Sequence, residues 1–328
     1  MNAVLMRCVA VLAAMLLQAS AWAAEPLPSW QDGPSRKAII AFVESTTRAG
    51  SADFVPEPQR IATFDNDGTL WAEQPVYFQM FFLMDRVRAT AAQRPQLKDT
   101  DPTRSIMAGD IQGALASGEK GLLELMAATH SGMSVDEFHA QVLEWSEHAR
   151  HPGTQRRFTD MTYQPMRELL DYLRAHGYTT YIVSGGGQEF MRPWAAQTYG
   201  IPPQQVIGSY GELAYRLRDG IPTLIKLAEV GLVDDHAGKP VAIQRFIGRR
   251  PVFAFGNSDG DLEMLQWTAA GPGPRFVGLV HHTDGKREWA YDRASKIGTL
   301  DKALAAAAAG NWVVVDMKSE WKQVYPDR

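Results

Sequence analysis

Apolar segments alternate along the chain with mixed segments, and this alternation separates short strands from amphipathic helices. Runs of apolar and β-branched residues predict strands at 61–64, 179–183, 252–255 and 276–280, since a strand buried on both faces needs no polar side. Apolar positions at helical spacing predict helices at 35–48, 165–176, 188–199, 239–247, 262–268 and 303–309. Strands alternating with helices indicate a parallel sheet that is covered on both faces.

Residues 76–159 interrupt this alternation, because they contain no strand pattern. Helical spacing predicts four helices in this block, at 76–91, 105–115, 121–129 and 134–149. Ser134 and Glu137 have the spacing of a capping box at the start of the last one. The predicted fold class is therefore α/β: a doubly wound parallel sheet built from residues 24–75 and 160–328, with an inserted all-helical cap at 76–159.

The N-terminus has the organisation of a targeting segment. Arg7 precedes an apolar run of ten residues at 8–17, and Ala21 and Ala23 supply small residues for a cleavage site. This order predicts a signal peptide at 1–23 that is cleaved after Ala23, and therefore a periplasmic or secreted protein. Ten apolar residues cannot span a bilayer that needs about 20, so we expect no stable membrane insertion after cleavage.

Composition and charge narrow the classes of function. The chain has 328 residues, and its 33 basic against 37 acidic residues give a net charge of −4. No global basic field is present, so a nucleic-acid partner is not expected. Cys8 is the single cysteine, which excludes an intramolecular disulfide framework and any structural zinc site built on cysteines.

Two carboxylates follow the first predicted strand. Asp65 and Asp67 are two positions apart, and Gly68 directly after them allows the backbone to approach a ligand. Carboxylates held together need a cation or a shared proton. One can therefore act as nucleophile and the other as acid and base, with a hard cation between them. Asp and Asn are also common turn formers, so a simple turn remains the alternative.

Polar segments follow two more predicted strands. Ser184 opens a run of three glycines that leads into a helix, where a hydroxyl and free backbone N–H groups can bind phosphate. The alternative is a flexible glycine loop. The oxygen-rich segment 256–261 follows another strand and suits Mg²⁺. Lys239 starts the helix before that strand, where its ammonium group can reach phosphate oxygens, although a single lysine is usually a solvated surface residue.

In chain order, residues 64–69, Ser184, Lys239 and residues 256–261 resemble the four signature motifs of the haloacid dehalogenase superfamily. The helical block after the first motif resembles the phosphoserine-phosphatase-like branch of that superfamily. The resemblance covers roughly residues 60–282. It implies Mg²⁺-dependent hydrolysis of a small phosphomonoester, with a phosphorylated metabolite as the partner.

The resemblance also implies roles for individual residues. Asp65 would form an aspartyl-phosphate, Asp67 would act as acid and then base, and Ser184 and Lys239 would bind the phosphoryl group. The implied substrate contacts are Thr69, Glu73, Ser184, Gly185, Gly186 and Lys239. The implied metal ligands are Asp65, Asp67 through its carbonyl, Asn257 and Asp261, with Asp259 as a further candidate. Asn257 departs from the family, which often has Asp at this position, so the cation site would carry one negative charge fewer.

Three rival functions remain open at this stage. Dehalogenases resemble the first motif but lack the second acid, so the presence of Asp67 favours phosphate chemistry. A phosphotransferase would use the same residues and pass the phosphoryl group to an alcohol. A catalytically weak protein that only binds phosphoryl ligands is the third rival, and Asn257 keeps it open.

Overall fold

The computed structural model describes residues 25–90, 101–110, 113, 114, 116, 121, 125, 126 and 129–327. The predicted signal peptide lies outside the described residues, as do most of the predicted helix at 121–129 and part of that at 105–115. Export of the protein therefore stays a prediction. No helix among the described residues is both long enough and apolar enough to cross a membrane.

One seven-stranded sheet forms the centre of the molecule. Its strands are β1 (Ile61–Phe64), β2 (Thr179–Gly187), β3 (Val206–Arg218), β4 (Ile221–Leu232), β5 (Phe253–Gly256), β6 (Phe276–His281) and β7 (Val313–Asp316). The spatial order is β4-β3-β2-β1-β5-β6-β7, and every neighbouring pair is parallel except β3 and β4. The four predicted strands are present within one residue at each end, except that β2 continues through Gly187.

Most helices of the described residues lie in the predicted segments, whereas the short helix Met317–Glu320 was not predicted. The helices are α1 (Pro34–Thr47), α2 (Phe78–Thr90), α3 (Thr103–Ala108), α4 (Val135–His148), α5 (Gln164–Ala175), α6 (Gln188–Tyr199), α7 (Gly238–Phe246), α8 (Leu262–Ala269), α9 (Lys302–Gly310) and α10 (Met317–Glu320). The predicted capping box is present, because Ser134 Oγ accepts from Glu137 N while the Glu137 carboxylate accepts from Ser134 N. This pairing satisfies N–H groups that would otherwise lack partners at the start of α4.

Apolar side chains cover both faces of the sheet. Buried residues of α1, α5 and α6 pack on one face, against Phe64 and Phe253 among others. Buried residues of α7, α8 and α9 pack on the other face, against Val183 and Ala254 among others. The doubly wound α/β fold predicted from the sequence is therefore confirmed.

A long β-hairpin was not predicted. β3 and β4 pair in antiparallel fashion around Asp219 and Gly220, both of which have positive φ angles (53° and 79°). Two central residues with positive φ are the requirement of a tight hairpin turn, and Asp-Gly is a preferred sequence for it. That dipeptide was the signal in the sequence that identifies the hairpin.

The hairpin extends beyond the parallel sheet and contacts the cap. Gly132 N donates to Lys226 O and Lys226 N donates to Met133 O, both at 2.9 Å, and Ser134 forms a bridge with Ile225. The described part of the insertion is helical, as predicted. The wall of the space beneath it, however, includes strand β4 from outside the predicted cap.

The order of the strands places the polar segments together. Strand β1 lies between β2 and β5: the chain continues from β1 to β2 on one side, and after β4 it crosses to β5 on the other side. In an open α/β sheet, the crevice at such a switch point, beyond the carboxyl ends of the strands, is where ligands bind. The ends of β1, β2 and β5 carry the three polar segments recognised in the sequence.

Candidate active site

One cavity at the carboxyl edge of the sheet collects most of the residues that the sequence analysis selected. Those that line it are Asp65, Asp67, Glu73, Ser184, Gly185, Gly186 and Lys239. They come from three separate segments of the chain, which β1, β2 and α7 hold in place. The cavity also has walls from the cap, formed by Tyr77, Gln79, Met80, Leu83 and Met126.

Lys239 joins two buried carboxylates. Its Nζ lies 2.6 Å from Asp65 Oδ1 and 2.6 Å from Asp261 Oδ1, and it also donates to the Val183 carbonyl at 3.1 Å. Burial, followed by repulsion from Asp261, raises the pKa of Asp65 well above its usual range, and Lys239 acts in the opposite direction. The ammonium group therefore favours the ionised carboxylate that a nucleophile requires.

Asp65 is fixed by its backbone as well as by its side chain. Its N–H donates to the Phe255 carbonyl at 3.0 Å, which ties the end of β1 to β5. Since Lys239 occupies Oδ1, the second oxygen, Oδ2, has no hydrogen-bond donor in the part of the chain that the structure describes. This oxygen is available for attack on a ligand in the cavity.

Asp67 has the properties of a proton donor near neutral pH. Its Oδ1 accepts from Trp71 Nε1 at 2.8 Å, and the Trp71 ring is held by stacking on Trp194 at 4.6 Å between centroids. Burial raises the pKa of Asp67 to about 6, against the opposing effect of the Trp71 hydrogen bond. A carboxyl group with a pKa close to the working pH can both give and take a proton.

The glycine run after Ser184 is a bulged continuation of β2 and not a loop. The register of β2 against β3 shifts between Ser184 and Gly187, and α6 starts at the next residue. A Cβ on Gly186 would lie 3.3 Å from Ser184 Oγ and 3.4 Å from Asp67 Oδ2, so these polar atoms surround one space. The arrangement brings a hydroxyl and the start of a helix to the acid pair, as a phosphoryl site requires.

Glu73 is a buried carboxylate beside Asn257. Its Oε1 accepts from Asn257 Nδ2 at 2.7 Å and from Tyr291 OH at 2.8 Å. Burial raises the pKa of Glu73 to about 7. The contact fixes the orientation of the Asn257 amide, so that Oδ1 points away from Glu73 and accepts from Thr69 Oγ1 at 3.1 Å. Glu73 thus lies next to the position where the family often has a charged residue.

Oxygen donors at this edge are suited to a hard cation. Asp65 offers a carboxylate oxygen, Asp67 a backbone carbonyl and Asn257 an amide oxygen with a second lone pair. Gly68 makes room for the Asn257 side-chain amide, because a Cβ at position 68 would lie 2.0 Å from Asn257 Nδ2. Among the described residues, no three His, Cys, Asp or Glu side chains form a metal-binding group, so the set is mixed. Such a set fits Mg²⁺, which keeps several waters and uses few protein carboxylates.

Three predicted metal ligands, Asn257, Asp259 and Asp261, do not line the cavity, and the carboxylates of the last two have partners elsewhere. Asp261 Oδ2 accepts from the N–H groups of Asn257 (2.9 Å) and Ser258 (3.0 Å), and its Oδ1 is held by Lys239. Asp259 Oδ1 accepts from Asp301 N and Ala303 N at the start of α9, and Asp259 does not line the cavity. Asp259 thus caps α9 in this structure and its role as a ligand stays a prediction, whereas Asp261 is expected to position Lys239 and the 256–261 segment.

Thr69 lies behind the cavity wall. It is fully buried, it does not line the cavity, and its hydroxyl donates to Asn257. Thr69 therefore holds the Asn257 side chain, and its contact with substrate stays a prediction.

Some residues of the site were not selected from the sequence. Asp235 lines the cavity from the segment before Lys239, and Gln79 accepts from Gly187 N at 2.6 Å. His282 Nε2 donates to the Gly68 carbonyl at 2.7 Å, while its Nδ1 lies 3.2 Å from Glu288 Oε2. No sequence motif surrounds these residues that would have marked them as part of the site. Only Asp235, an acidic residue four positions before Lys239, had a position that indicated the site.

The raised pKa of Glu73 predicts how metal-free stability changes with pH. The folded protein keeps the proton up to about pH 7, whereas the unfolded chain loses it near 4.5. The folded state thus binds more protons between these values, so stability falls as pH rises through this window. Glu73→Gln keeps the Oε1 acceptor and should remove about 3 kcal/mol of that fall in urea unfolding with a chelator present.

Exposed Glu44→Gln is the control for this measurement, and it should leave the pH dependence of the wild type unchanged. An unaltered pH dependence in Glu73→Gln would mean that Glu73 is already ionised in the folded protein.

Comparison with known proteins identifies the family to which this chain belongs. A family model described as haloacid dehalogenase-like hydrolase matches residues 62–266, which is more than half of the chain. No curated protein sequence matches.

Among the solved structures that are similar to the chain are the following three. One is a protein with unknown function from Bordetella pertussis Tohama I, with 18% identity, a TM-score of 0.47, and coverage of 79% of this chain and 99% of that chain. A phosphoserine phosphohydrolase-like protein from Francisella tularensis subsp. tularensis SCHU S4 has 17% identity, a TM-score of 0.40, and coverage of 76% and 98%. A probable phosphoserine phosphatase from Vibrio cholerae has 14% identity, a TM-score of 0.37, and coverage of 78% and 68%.

The matched residues include β1 with its two aspartates, Ser184, Lys239 and the 256–261 segment, which are the residues that the fold assembles at one edge of the sheet. By sequence and by the geometry of this site, the chain belongs to the haloacid dehalogenase-like hydrolases.

Proposed function

We propose that the protein is a Mg²⁺-dependent phosphatase that hydrolyses a small phosphomonoester through an aspartyl-phosphate. One observation carries the proposal: Asp65, paired with Lys239, and Asp67, with a pKa near neutrality, line the same cavity as Ser184. A nucleophile, a proton donor and groups that bind a phosphoryl oxygen are the requirements of this reaction.

The first half of the proposed reaction transfers the phosphoryl group to the protein. Asp65 Oδ2 attacks phosphorus and forms a P–O bond, while the bond from phosphorus to the ester oxygen breaks. Asp67 gives its proton to that oxygen, which leaves as an alcohol. Trp71, which donates to Asp67 Oδ1, holds the carboxyl group in the orientation that it needs for this step.

The second half returns the protein to its starting state. Asp67, now ionised, takes a proton from a water that attacks phosphorus, and the bond between phosphorus and Asp65 breaks. Inorganic phosphate leaves, Asp65 is again a carboxylate and Asp67 is again protonated. Lys239 and Ser184 stabilise negative charge on the phosphoryl oxygens in both halves. Mg²⁺, held by Asp65, the Asp67 carbonyl and Asn257, would neutralise charge at the same centre when it is bound.

The position of the cap supports a small substrate. It follows β1 in the chain, and its Tyr77, Met80 and Leu83 form the wall of the cavity opposite the carboxylates. A cap in this position can close over a small bound substrate and exclude water from the site. The same position of the cap supports assignment to the phosphoserine-phosphatase-like branch.

Substrates whose leaving groups differ in their need for a proton distinguish the role of Asp67 as acid from the role of Asp65 as nucleophile. Asp67→Asn should lower kcat by about 10²- to 10⁴-fold for an alkyl phosphate, whose alkoxide needs a proton. The loss should be smaller for 4-nitrophenyl phosphate, because its phenolate leaves without one. The measurement is phosphate release from both esters with Mg²⁺, and a chelator blank should show no turnover.

Other outcomes of this experiment identify the rival functions. Halide release from a 2-haloacid that persists in Asp67→Asn would indicate a dehalogenase. Phosphate transfer to added glycerol in preference to water would indicate a phosphotransferase. Absence of turnover with every ester, together with binding of phosphate, would leave a protein that only binds phosphoryl ligands.

A further inference from the structure

A second cavity adjoins the phosphoryl site. It lies between α4, α6 and the β3–β4 hairpin. Gln79 and Met126 line both cavities, so their side chains form the partition between them. Gly186 lines the first cavity and Gly187 the second, and consecutive Cα atoms are about 3.8 Å apart. A molecule with its phosphoryl group at Asp65 therefore has this space next to it.

The second cavity is mostly apolar, with one lysine. Its apolar walls come from Met126, Phe138, Phe190, Leu227 and Val230. Lys226 enters from β4, and its Nζ lies 4.4 Å from the centre of the Phe138 ring. Phe138 belongs to α4, so the hairpin and the cap together hold the ammonium group at the cavity.

Lys226 forms no direct ion pair among the described residues, although the charge of Glu189 acts on it from the same cavity. No carboxylate of those residues lies within 4.0 Å of its Nζ, and no hydrogen-bond acceptor of theirs reaches it. Glu189 also lines the cavity, but its carboxylate is already engaged by His139 at 2.6 Å and by Arg192 at 2.7 Å. Burial lowers the pKa of Lys226, whereas the charge of Glu189 opposes this effect. Lys226 is half-buried, so its ammonium group is partly withdrawn from water, and an anion in the cavity would supply the ion pair that it lacks.

We propose that the second cavity binds the leaving group of the substrate and that Lys226 pairs there with a carboxylate on that group. The proposal rests on the phosphatase function above and names the class of its substrate: a phosphomonoester of a hydroxy acid with an apolar body. A single ammonium group balances a single charge. A second phosphate would bring two charges toward one lysine and toward Glu189, so the carboxylate is the better match.

Matched aryl esters test the assignment. Phenyl phosphate has an apolar leaving group, and 3- and 4-carboxyphenyl phosphate add one carboxylate in two positions. The wild type should favour the better carboxylated ester by about tenfold or more in kcat/KM, mainly through KM, because hydrogen bonds to charged groups have this strength. In Lys226→Met the ratio of the two kcat/KM values should fall to about one. Exposed Lys302→Met is the control and should keep the wild-type ratio.

Charge reversal separates recognition from packing. Lys226→Glu should favour 4-(aminomethyl)phenyl phosphate over the carboxylated esters, which a lysine that only packs on Phe138 does not explain. Equal preference of the wild type for the charged and uncharged esters overturns the proposal. So does an equal loss on all esters in Lys226→Met.

Failure of the phosphatase function gives a different result. In that case no ester is hydrolysed above the Asp65→Asn background, and binding replaces turnover as the measurement. Calorimetry with 3- and 4-hydroxybenzoate, against phenol as the neutral reference, should then show binding to the wild type that Lys226→Met loses. Absence of hydroxybenzoate binding to the wild type overturns the carboxylate site whether or not the protein hydrolyses esters.

Discussion

Asp65→Asn is expected to lower kcat for phosphomonoester hydrolysis by about 10⁴-fold or more, since an amide oxygen cannot form the acyl-phosphate. The substitution keeps the shape of the side chain and an oxygen that can accept from Lys239 Nζ, now 2.6 Å away. Burial and Asp261 disfavour the charge of Asp65, so removing it should not unfold the protein. Loss of activity with an intact fold would therefore report on chemistry.

Trapping the intermediate checks the same prediction directly. Acid quenching during turnover should give wild-type protein carrying one phosphoryl group on the peptide that contains Asp65, as measured by mass spectrometry. Exposed Asp53→Asn is the matched control and should keep both turnover and the adduct. An Asp65→Asn variant that retains more than about one hundredth of the wild-type kcat would rule out the covalent route.

Lys239→Met is expected to destabilise the metal-free protein by about 3–5 kcal/mol near neutral pH. The Nζ group is the shared cation of Asp65 and Asp261, all three side chains are buried, and it also donates to the Val183 carbonyl. Methionine fills a similar volume and leaves two carboxylates facing each other without a positive charge. Urea unfolding in the presence of a chelator measures the effect.

A second substitution identifies the cause of this destabilisation. Asp261→Asn added to Lys239→Met removes one of the two uncompensated charges, so the double variant should be more stable than Lys239→Met alone. The destabilisation should also shrink as pH falls, because burial and repulsion from Asp261 raise the pKa of Asp65 and the folded variant takes up a proton there. A double variant that is no more stable than the single one would assign the loss to packing and not to charge.

Local patterns were enough for the elements that build the core. The helix predicted at 188–199 is α6, and the strand predicted at 61–64 is β1. The capping box of Ser134 and Glu137 was readable because both halves lie within one turn of helix. These features depend on residues that are close together in the chain, so the spacing of apolar residues is enough to predict them.

The β3–β4 hairpin was not predicted from the pattern of apolar and polar residues. β3 and β4 carry several exposed apolar residues, among them Leu217 and Ile221 at 65% exposure each, so they lack the clean alternation of a half-buried strand. The turn at Asp219 and Gly220 is the stronger signal. Because the hairpin was not predicted, Lys226 was not among the candidate residues, although it lies beside the site.

Motifs located the chemistry more reliably than the individual roles. Asp65, Asp67, Ser184 and Lys239 lie together as their positions after strands, or at the start of a helix, implied. Asp259 and Asp261 are two positions apart in one segment, yet one caps α9 and the other holds Lys239. Spacing along the chain does not distinguish these two orientations, because each depends on a partner from another segment.

The amino-acid sequence alone determined the α/β class, the inserted helices and the aspartate pair that starts the proposed chemistry. Tertiary structure alone decided which side chains share a cavity, that Glu73 contacts Asn257, and that Lys226 from a distant hairpin faces the space beside the phosphoryl site. The physical reason is range: propensity and apolar periodicity act over a few residues, whereas burial, pKa and ion pairing depend on groups that meet only when the sheet is assembled.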